Sequence, residues 1–269
     1  MNDKRMKRAI PVEFVYQVFA LLLAVIIVHA VYVSVVRPNA DAFQRVEAER
    51  MQADRGYVQQ RSLYVVVRDF EQETCFILML WAFAIMGYKG VSAYQERRLL
   101  ESELIEEEAD GPITPQDMQG LSRRIQSLPA ATQRLLLPRT LSAAVHRFVA
   151  SDTIQGVSAA VRDLCQSEGE RLESELSIIR YIAWAIPSVG FIGTVRGISD
   201  ALAQAHRAVE GDITGVTQSL GVAFNSTFIA LVISIIVMFF VHQLQLAQER
   251  VVLETEDYCD RRLIRRLRR

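Results

Sequence analysis

The chain has little of what soluble enzymes are built from. Its three cysteines, Cys75, Cys165 and Cys259, form no C-x-x-C pair and have no nearby histidine. That spacing excludes a cysteine-based zinc site and a disulfide framework, and leaves ordinary buried thiols. Its four histidines, His29, His146, His206 and His242, are dispersed. No H-E-x-x-H, no G-x-S-x-G and no clustered His/Asp set occurs, so metal-dependent and nucleophilic hydrolysis have no carrier. The glycine pattern G-F-I-G-T-V-R-G at 190–197 is neither a P-loop nor a dinucleotide fingerprint, and it lies inside an apolar run. No enzymatic activity, cofactor or metal is expected. The formal net charge of −1 gives no electrostatic reason for a nucleic-acid partner.

What the chain does have is hydrophobicity in blocks. Apolar residues bunch into long runs separated by charged segments, which is a membrane-protein pattern. The most informative run is 177–200, long enough to cross a bilayer at about 20 residues. On a helix, Ala183, Pro187, Gly190, Thr194, Gly197 and Ala201 fall in one stripe, in steps of three or four. A face without bulk lets another helix approach closely and offers lipid nothing. A second stripe, Ala223, Thr227, Ala230 and Ser234, lies on the run 220–244. The link 201–219, with turn residues Glu210-Gly211-Asp212 and Gly215, is too short for a domain and joins the two as a hairpin. Thr194 and Thr227 sit near the middle of the two stripes. Their hydroxyls can line a polar path or hold a water wire. They can equally bond back to the preceding turn, leaving the stripes as packing surfaces. Both readings stay open on this pattern. Arg196, near the outer end, can snorkel.

Two more spans precede these. The run 11–36 is too long for the apolar region of a signal peptide and no clean cleavage site follows. His29 lies inside it: a functional candidate by default, or a neutral imidazole bonded to a neighbouring helix, with nothing else polar nearby. The run 75–90 is short for a span and reaches full length only with flanking residues such as Phe70 and Val91. Trp81, in mid-run, is placed against a helix or lipid, and Tyr88 and Lys89 at the membrane boundary. Between them, 37–74 is a loop opening with Pro38-Asn39, with helical extensions of its flanking spans. Arg68, Asp69, Glu71 and Glu73 crowd its end, as a solvated face or a charged vestibule.

The long hydrophilic segment 91–176 begins with a charged helix broken at Asp110-Gly111-Pro112. Another helix opens at Thr114-Pro115. Leu136, Leu137, Val145, Phe148 and Val149 suffice for a small amphipathic bundle, and 167–175 runs into the third span without a breaker. The tail 245–269 ends in R-R-L-I-R-R-L-R-R, fit to lie on anionic headgroups or to cap a helix. That tail and residues 1–10 are basic, which places both ends in the cytoplasm. The expected fold is therefore all-α: a polytopic membrane protein with four transmembrane helices and a cytoplasmic helical domain. The loop 37–74 and the link 201–219 then face the periplasm.

The motif P-S-V-G-F-I-G-T-V-R-G-I (187–198), followed by A-F-N-S-T-F-I-A-L-V (223–232), resembles the MotA/TolQ/ExbB proton-channel family over about 173–250. That family carries a P-x-x-G-x-x-G-T-V-x-G-like motif in its penultimate span and an A-x-x-x-T-x-x-x-L-like motif in its last. The G-T-V core is more like TolQ and ExbB, and the two preceding spans are more like MotA. The resemblance implies a ring-forming subunit, five copies around two of a single-span MotB/TolR/ExbD-type partner, in a bacterial inner-membrane motor, stator or energiser complex. The partner would bring the intramembrane aspartate that carries the proton. Thr194 and Thr227 match the two threonines facing that aspartate and would line the channel. Gly190, Gly193, Gly197, Ala223, Ala230 and Ser234 would permit close helix packing, and Pro187 would bend the helix. ExbB-like members have a glutamate five residues before the second threonine, and here that position is Val222. No acidic residue lies inside either late span, so proton transfer would rest on the partner's carboxylate and on waters. Sodium in place of the proton stays open. The alternative, from a different class, is a non-conducting oligomeric scaffold. Flagellar rotation, outer-membrane protein transport, envelope maintenance, gliding and defence are all compatible with the motor reading.

Overall fold

The computed structural model describes residues 12–53, 57, 60, 62–102, 104–105, 113–151 and 153–267. The basic residues 1–10, the break at Asp110-Gly111-Pro112 and the terminal Arg268 and Arg269 lie outside them. The helices are, in order, α1 (Val12–Val31), α2 (Arg37–Ala53), α3 (Leu63–Val66), α4 (Phe70–Leu100), α5 (Pro115–Ser127), α6 (Leu136–Ser151), α7 (Ile154–Glu175), α8 (Ser177–Ala203), α9 (Ala205–Val209) and α10 (Thr214–Arg262). Among the described residues there is no strand, and one isolated bridge pairs Ile113 with Leu267. Four helical runs are long and apolar enough to cross a membrane: Val12–Met51, Phe70–Leu100, Ile154–Ala203 and Thr214–Arg266. The chain is thus all-α and polytopic, as its hydropathy blocks imply. It divides into two compact units, Met1–Met86 with Ile178–Phe240, and Gly87–Ser177 with Val241–Arg269.

In the first unit, α1 and α2 are joined by a π-helical turn, Tyr32–Val36. Pro38 accounts for it. Proline has no N–H for the Ser34 carbonyl, and its ring crowds that oxygen in a regular helix; a wider turn relieves both. The Asn39 amide then donates to the Val35 carbonyl at 2.7 Å, and the helix continues to Ala53. α4 has 31 residues, about 46 Å at 1.5 Å per residue, and it includes the flanking residues Phe70 and Val91. Its Trp81 indole donates to the Gln17 carbonyl (2.9 Å), and the Tyr16 hydroxyl donates to Ala84 (3.0 Å). These bonds pin α1 to α4. The hairpin between α8 and α10 turns at Gly211, whose φ of 98° suits only glycine. Gly215 lies not in that turn but in the first turn of α10. The Gln204 side chain lies against it and donates to Ser219 at 3.0 Å.

The second unit is a helical bundle. Thr114 caps α5 in a reciprocal capping box with Asp117, and Pro115 follows it in the first turn. The core joins Met118, Leu121 and Ile125 of α5, Leu137, Leu141 and Phe148 of α6, and Val157, Val161 and Cys165 of α7. Leu136 and Val145 are buried too, but Val149 is 74% exposed: the apolar stripe of α6 ends at Phe148. The C-terminal segment has a role its basic composition hides. Cys259, Leu263 and Leu267, spaced by four, are buried in the same core, while Arg261 pairs with Asp257 and Arg265 with Asp260. Lys89 is buried and bonded to Glu175 at 2.8 Å.

Candidate functional site

The two small-residue stripes face each other. A Cβ added to Gly190 would stand 2.5 Å from the Ala230 Cβ, and one on Gly193 2.5 Å from the Ser226 Cβ. One on Gly197 would stand 2.8 Å from the Ala223 Cβ and from its backbone nitrogen. Only hydrogen fits at these three positions. Ala183, Ala201, Ala223 and Ala230 are buried in the same seam. The bulky residues Trp184, Phe191 and Val195 of α8, and Phe224, Phe228 and Ile235 of α10, are exposed, as a lipid-facing or subunit-facing surface requires.

Pro187 and Ser234 form one device. Pro187 stands inside α8 and has no N–H to return to Ala183, four residues back. The Ser234 hydroxyl of α10 donates to that freed carbonyl at 3.1 Å. Hydrocarbon offers no water to satisfy a bare carbonyl, so α10 supplies what proline removes.

Thr194 and Thr227 meet across the seam, with their hydroxyl oxygens 2.5 Å apart. The Thr194 oxygen lies 3.0 Å from the Ala223 carbonyl and 3.3 Å from Gly190. The Thr227 oxygen lies 3.1 Å from the Gly190 carbonyl. Each hydroxyl has one proton, so two arrangements satisfy the pair. Either Thr194 donates to Thr227 and Thr227 to Gly190, or Thr227 donates to Thr194 and Thr194 to Ala223. In each arrangement one of the two hydroxyl oxygens accepts no bond from the other.

One turn of α4 closes the arrangement, and it lies far from these motifs in sequence. Glu71, Gln72 and Glu73 are buried at 4%, 0% and 4% exposure. Glu71 takes a bidentate pair of bonds from Arg196 of α8: Nε to Oε1 at 2.7 Å and Nη2 to Oε2 at 2.8 Å. The Gln72 amide donates to Ser226 of α10 at 3.4 Å, and its own oxygen, also buried, is unpartnered. Glu73 accepts from Arg37 at 2.6 Å and meets His29 Nδ1 at 2.7 Å. Two expectations change here. Arg196 does not merely snorkel, and His29 has polar company, although none lies near it in the apolar run. The acidic crowding at 69–73 was visible in the sequence. Its partners were not, because Arg196 is 125 residues away and His29 44.

Each buried carboxylate thus has an arginine, which the low-dielectric interior demands. Val222 is partly buried on α10, and among the described residues 178–199 and 220–244 there is no carboxylate. Among the described residues, no group of three or more His, Cys, Asp or Glu could hold a metal.

Comparison with known proteins places part of this arrangement. No individual curated protein and no solved structure matches the chain. Residues 132–257, which include α7, α8 and most of α10 but neither α1 nor α4, match the family model of the MotA/TolQ/ExbB proton channel family. The chain therefore carries a domain of the MotA/TolQ/ExbB proton channel family.

Proposed function

We propose that this chain is the ring-forming subunit of an ion-driven inner-membrane motor or energiser complex. The observation that carries the reading is the Thr194–Thr227 hydroxyl contact. It is a polar pair set in a glycine-tight apolar seam that contains no carboxylate of its own. Such a pair can receive an ion-carrying group but cannot supply one. The missing carboxylate belongs to a single-span MotB/TolR/ExbD-type partner with an intramembrane aspartate. Five copies of this chain surround two of that partner, with both termini in the cytoplasm of a bacterial cell. Pro187, Gly190, Gly193, Gly197, Ala223, Ala230 and Ser234 hold the seam, and Thr194 and Thr227 line the path. Proton flux into proteoliposomes holding the purified complex tests this. Thr194→Val and Thr227→Val should each abolish flux while the complex keeps its composition. Normal flux in both would sink the reading.

One observation favours a second reading, a non-conducting scaffold. Both threonine hydroxyl protons already have acceptors within the hairpin, which packing alone would require. That reading expects wild-type behaviour from both valine variants and loss of assembly from Gly193→Leu.

A further inference from the structure

Three consecutive residues of α4 hold four other helices. Glu71 binds Arg196 of α8, Gln72 binds Ser226 of α10, and Glu73 binds Arg37 of α2 and His29 of α1. Neighbouring side chains on a helix point about 100° apart, so this pattern needs a helix enclosed on three sides. Two of the ties end beside the threonine pair. Arg196 is two residues past Thr194, and Ser226 immediately precedes Thr227. Glu71 also touches the seam itself: its Cγ is 3.0 Å from where a Cβ on Gly193 would stand. None of these α4 residues lies in the matched family region 132–257.

We propose that Glu71-Gln72-Glu73 is the positioning element of the threonine pair, with the Glu71–Arg196 ion pair setting the local register of α8 against α10 on the Thr194 side of Pro187. A bidentate guanidinium–carboxylate contact fixes distance and orientation together, which a lysine cannot do. The 3.4 Å contact from Gln72 to Ser226 is the weaker tie. The glycine contacts set how closely α8 and α10 approach. A charged lock two residues from Thr194 sets their local register. Its effect on flux rests on the path reading above, but its effect on register does not.

The test is disulfide formation in the full-length chain in native membranes, with its three cysteines replaced by serine. One reporter carries Thr194→Cys with Thr227→Cys, whose side chains meet. The control carries Ala183→Cys with Ser234→Cys, farther along the same two helices. Cross-linking after mild oxidation is read as protection from a maleimide-polyethylene glycol label. Glu71→Gln should cut the first cross-link severalfold and leave the control unchanged. Arg196→Lys with Glu71 intact should retain part of it. The exchange Glu71→Arg with Arg196→Glu should restore it, which loss of bulk packing would not allow. An unchanged first cross-link in Glu71→Gln overturns the proposal. So does equal loss of both cross-links, because the charges would then serve folding and not register. If register follows Glu71 while the valine variants conduct normally, the path reading fails and the positioning role stands.

Discussion

The same substitution, glycine to alanine, should have opposite effects at two sets of positions in this chain. At Gly190 the added Cβ would stand 2.5 Å from the Ala230 Cβ and 3.2 Å from the Thr227 Cα. Neither atom belongs to a flexible side chain, so α8 and α10 must part by about 1 Å to restore an ordinary carbon contact of ~3.5 Å. Forcing one methyl into a packed seam costs about 1–3 kcal/mol. The same shift would stretch the 2.5 Å threonine contact to about 3.5 Å, past a hydroxyl hydrogen bond, at a further cost of ~1 kcal/mol. The better helix propensity of alanine returns ~1 kcal/mol. The net is a loss of about 1–3 kcal/mol. Gly193→Ala, at 2.5 Å from the Ser226 Cβ, and Gly197→Ala, at 2.8 Å from backbone atoms, should behave alike.

Gly120 and Gly169 are also helical, but a Cβ there meets nothing within 4 Å. Alanine at either should stabilise by about 0.5–1 kcal/mol. Thermal unfolding of the full-length chain in one detergent, at one scan rate, reads the difference. At ~2–4 °C per kcal/mol, the seam variants should fall below wild type and Gly120→Ala should rise above it. Gly190→Ala and Gly193→Ala melting together with Gly120→Ala would refute the close-packed seam.

Ser234→Ala should destabilise by ~0.6–1.7 kcal/mol, the range for side-chain bonds between membrane helices, but by almost nothing in a Pro187→Ala background. There the restored N–H satisfies the Ala183 carbonyl, so equal losses in both backgrounds would exclude the proline–serine device. In the helical bundle, Glu96 caps the start of α6, with the Leu136 N–H 2.9 Å from each of its carboxylate oxygens. Burial pushes its carboxyl up to about 7, with Glu168 raising it further and the Leu136 bond, Arg139 and Arg171 opposing. The folded state therefore holds a proton that the unfolded chain releases near its ordinary value. This group's stabilisation is complete below pH ~4.5 and fades as pH rises through about 7, a swing of about 3 kcal/mol. Glu96→Gln should flatten that part of the stability–pH curve, and an unchanged slope would count against it.

The seam was legible because its signal is local. Small residues at helical spacing on two adjacent runs predict facing stripes, and a short link between them leaves few other pairings. The α4 lock was not legible, because it depends on rotational phase between helices far apart in sequence. Glu71, Gln72 and Glu73 read equally well as solvated residues at the end of a loop. Only the enclosure of α4 shows that each faces a different helix. Val149 illustrates the same limit on a smaller scale, since mixed spacing does not say where an apolar stripe stops. Arginines dominate the C-terminal composition, yet Cys259, Leu263 and Leu267 are spaced by four, the plain mark of a buried face.

The choice between path and scaffold turns on acceptor capacity. The seam needs the threonine protons: each can be given to a carbonyl or to the other hydroxyl, so donation is fully used within the hairpin. Acceptance is not. In both proton arrangements one hydroxyl oxygen keeps its lone pairs free, and which oxygen it is changes when the two protons turn. A neutral carboxylic acid or a water arriving beside the pair would find an acceptor in either state. Valine matches threonine in shape and removes both functions, whereas serine keeps the hydroxyl and removes a methyl. Thr194→Ser and Thr227→Ser should therefore retain most of the flux that the valine variants lose, with a stability cost of about one buried methyl, ~1 kcal/mol. Serine variants as inactive as the valine ones would mean that the methyls and their packing, not the oxygens, are what this seam contributes.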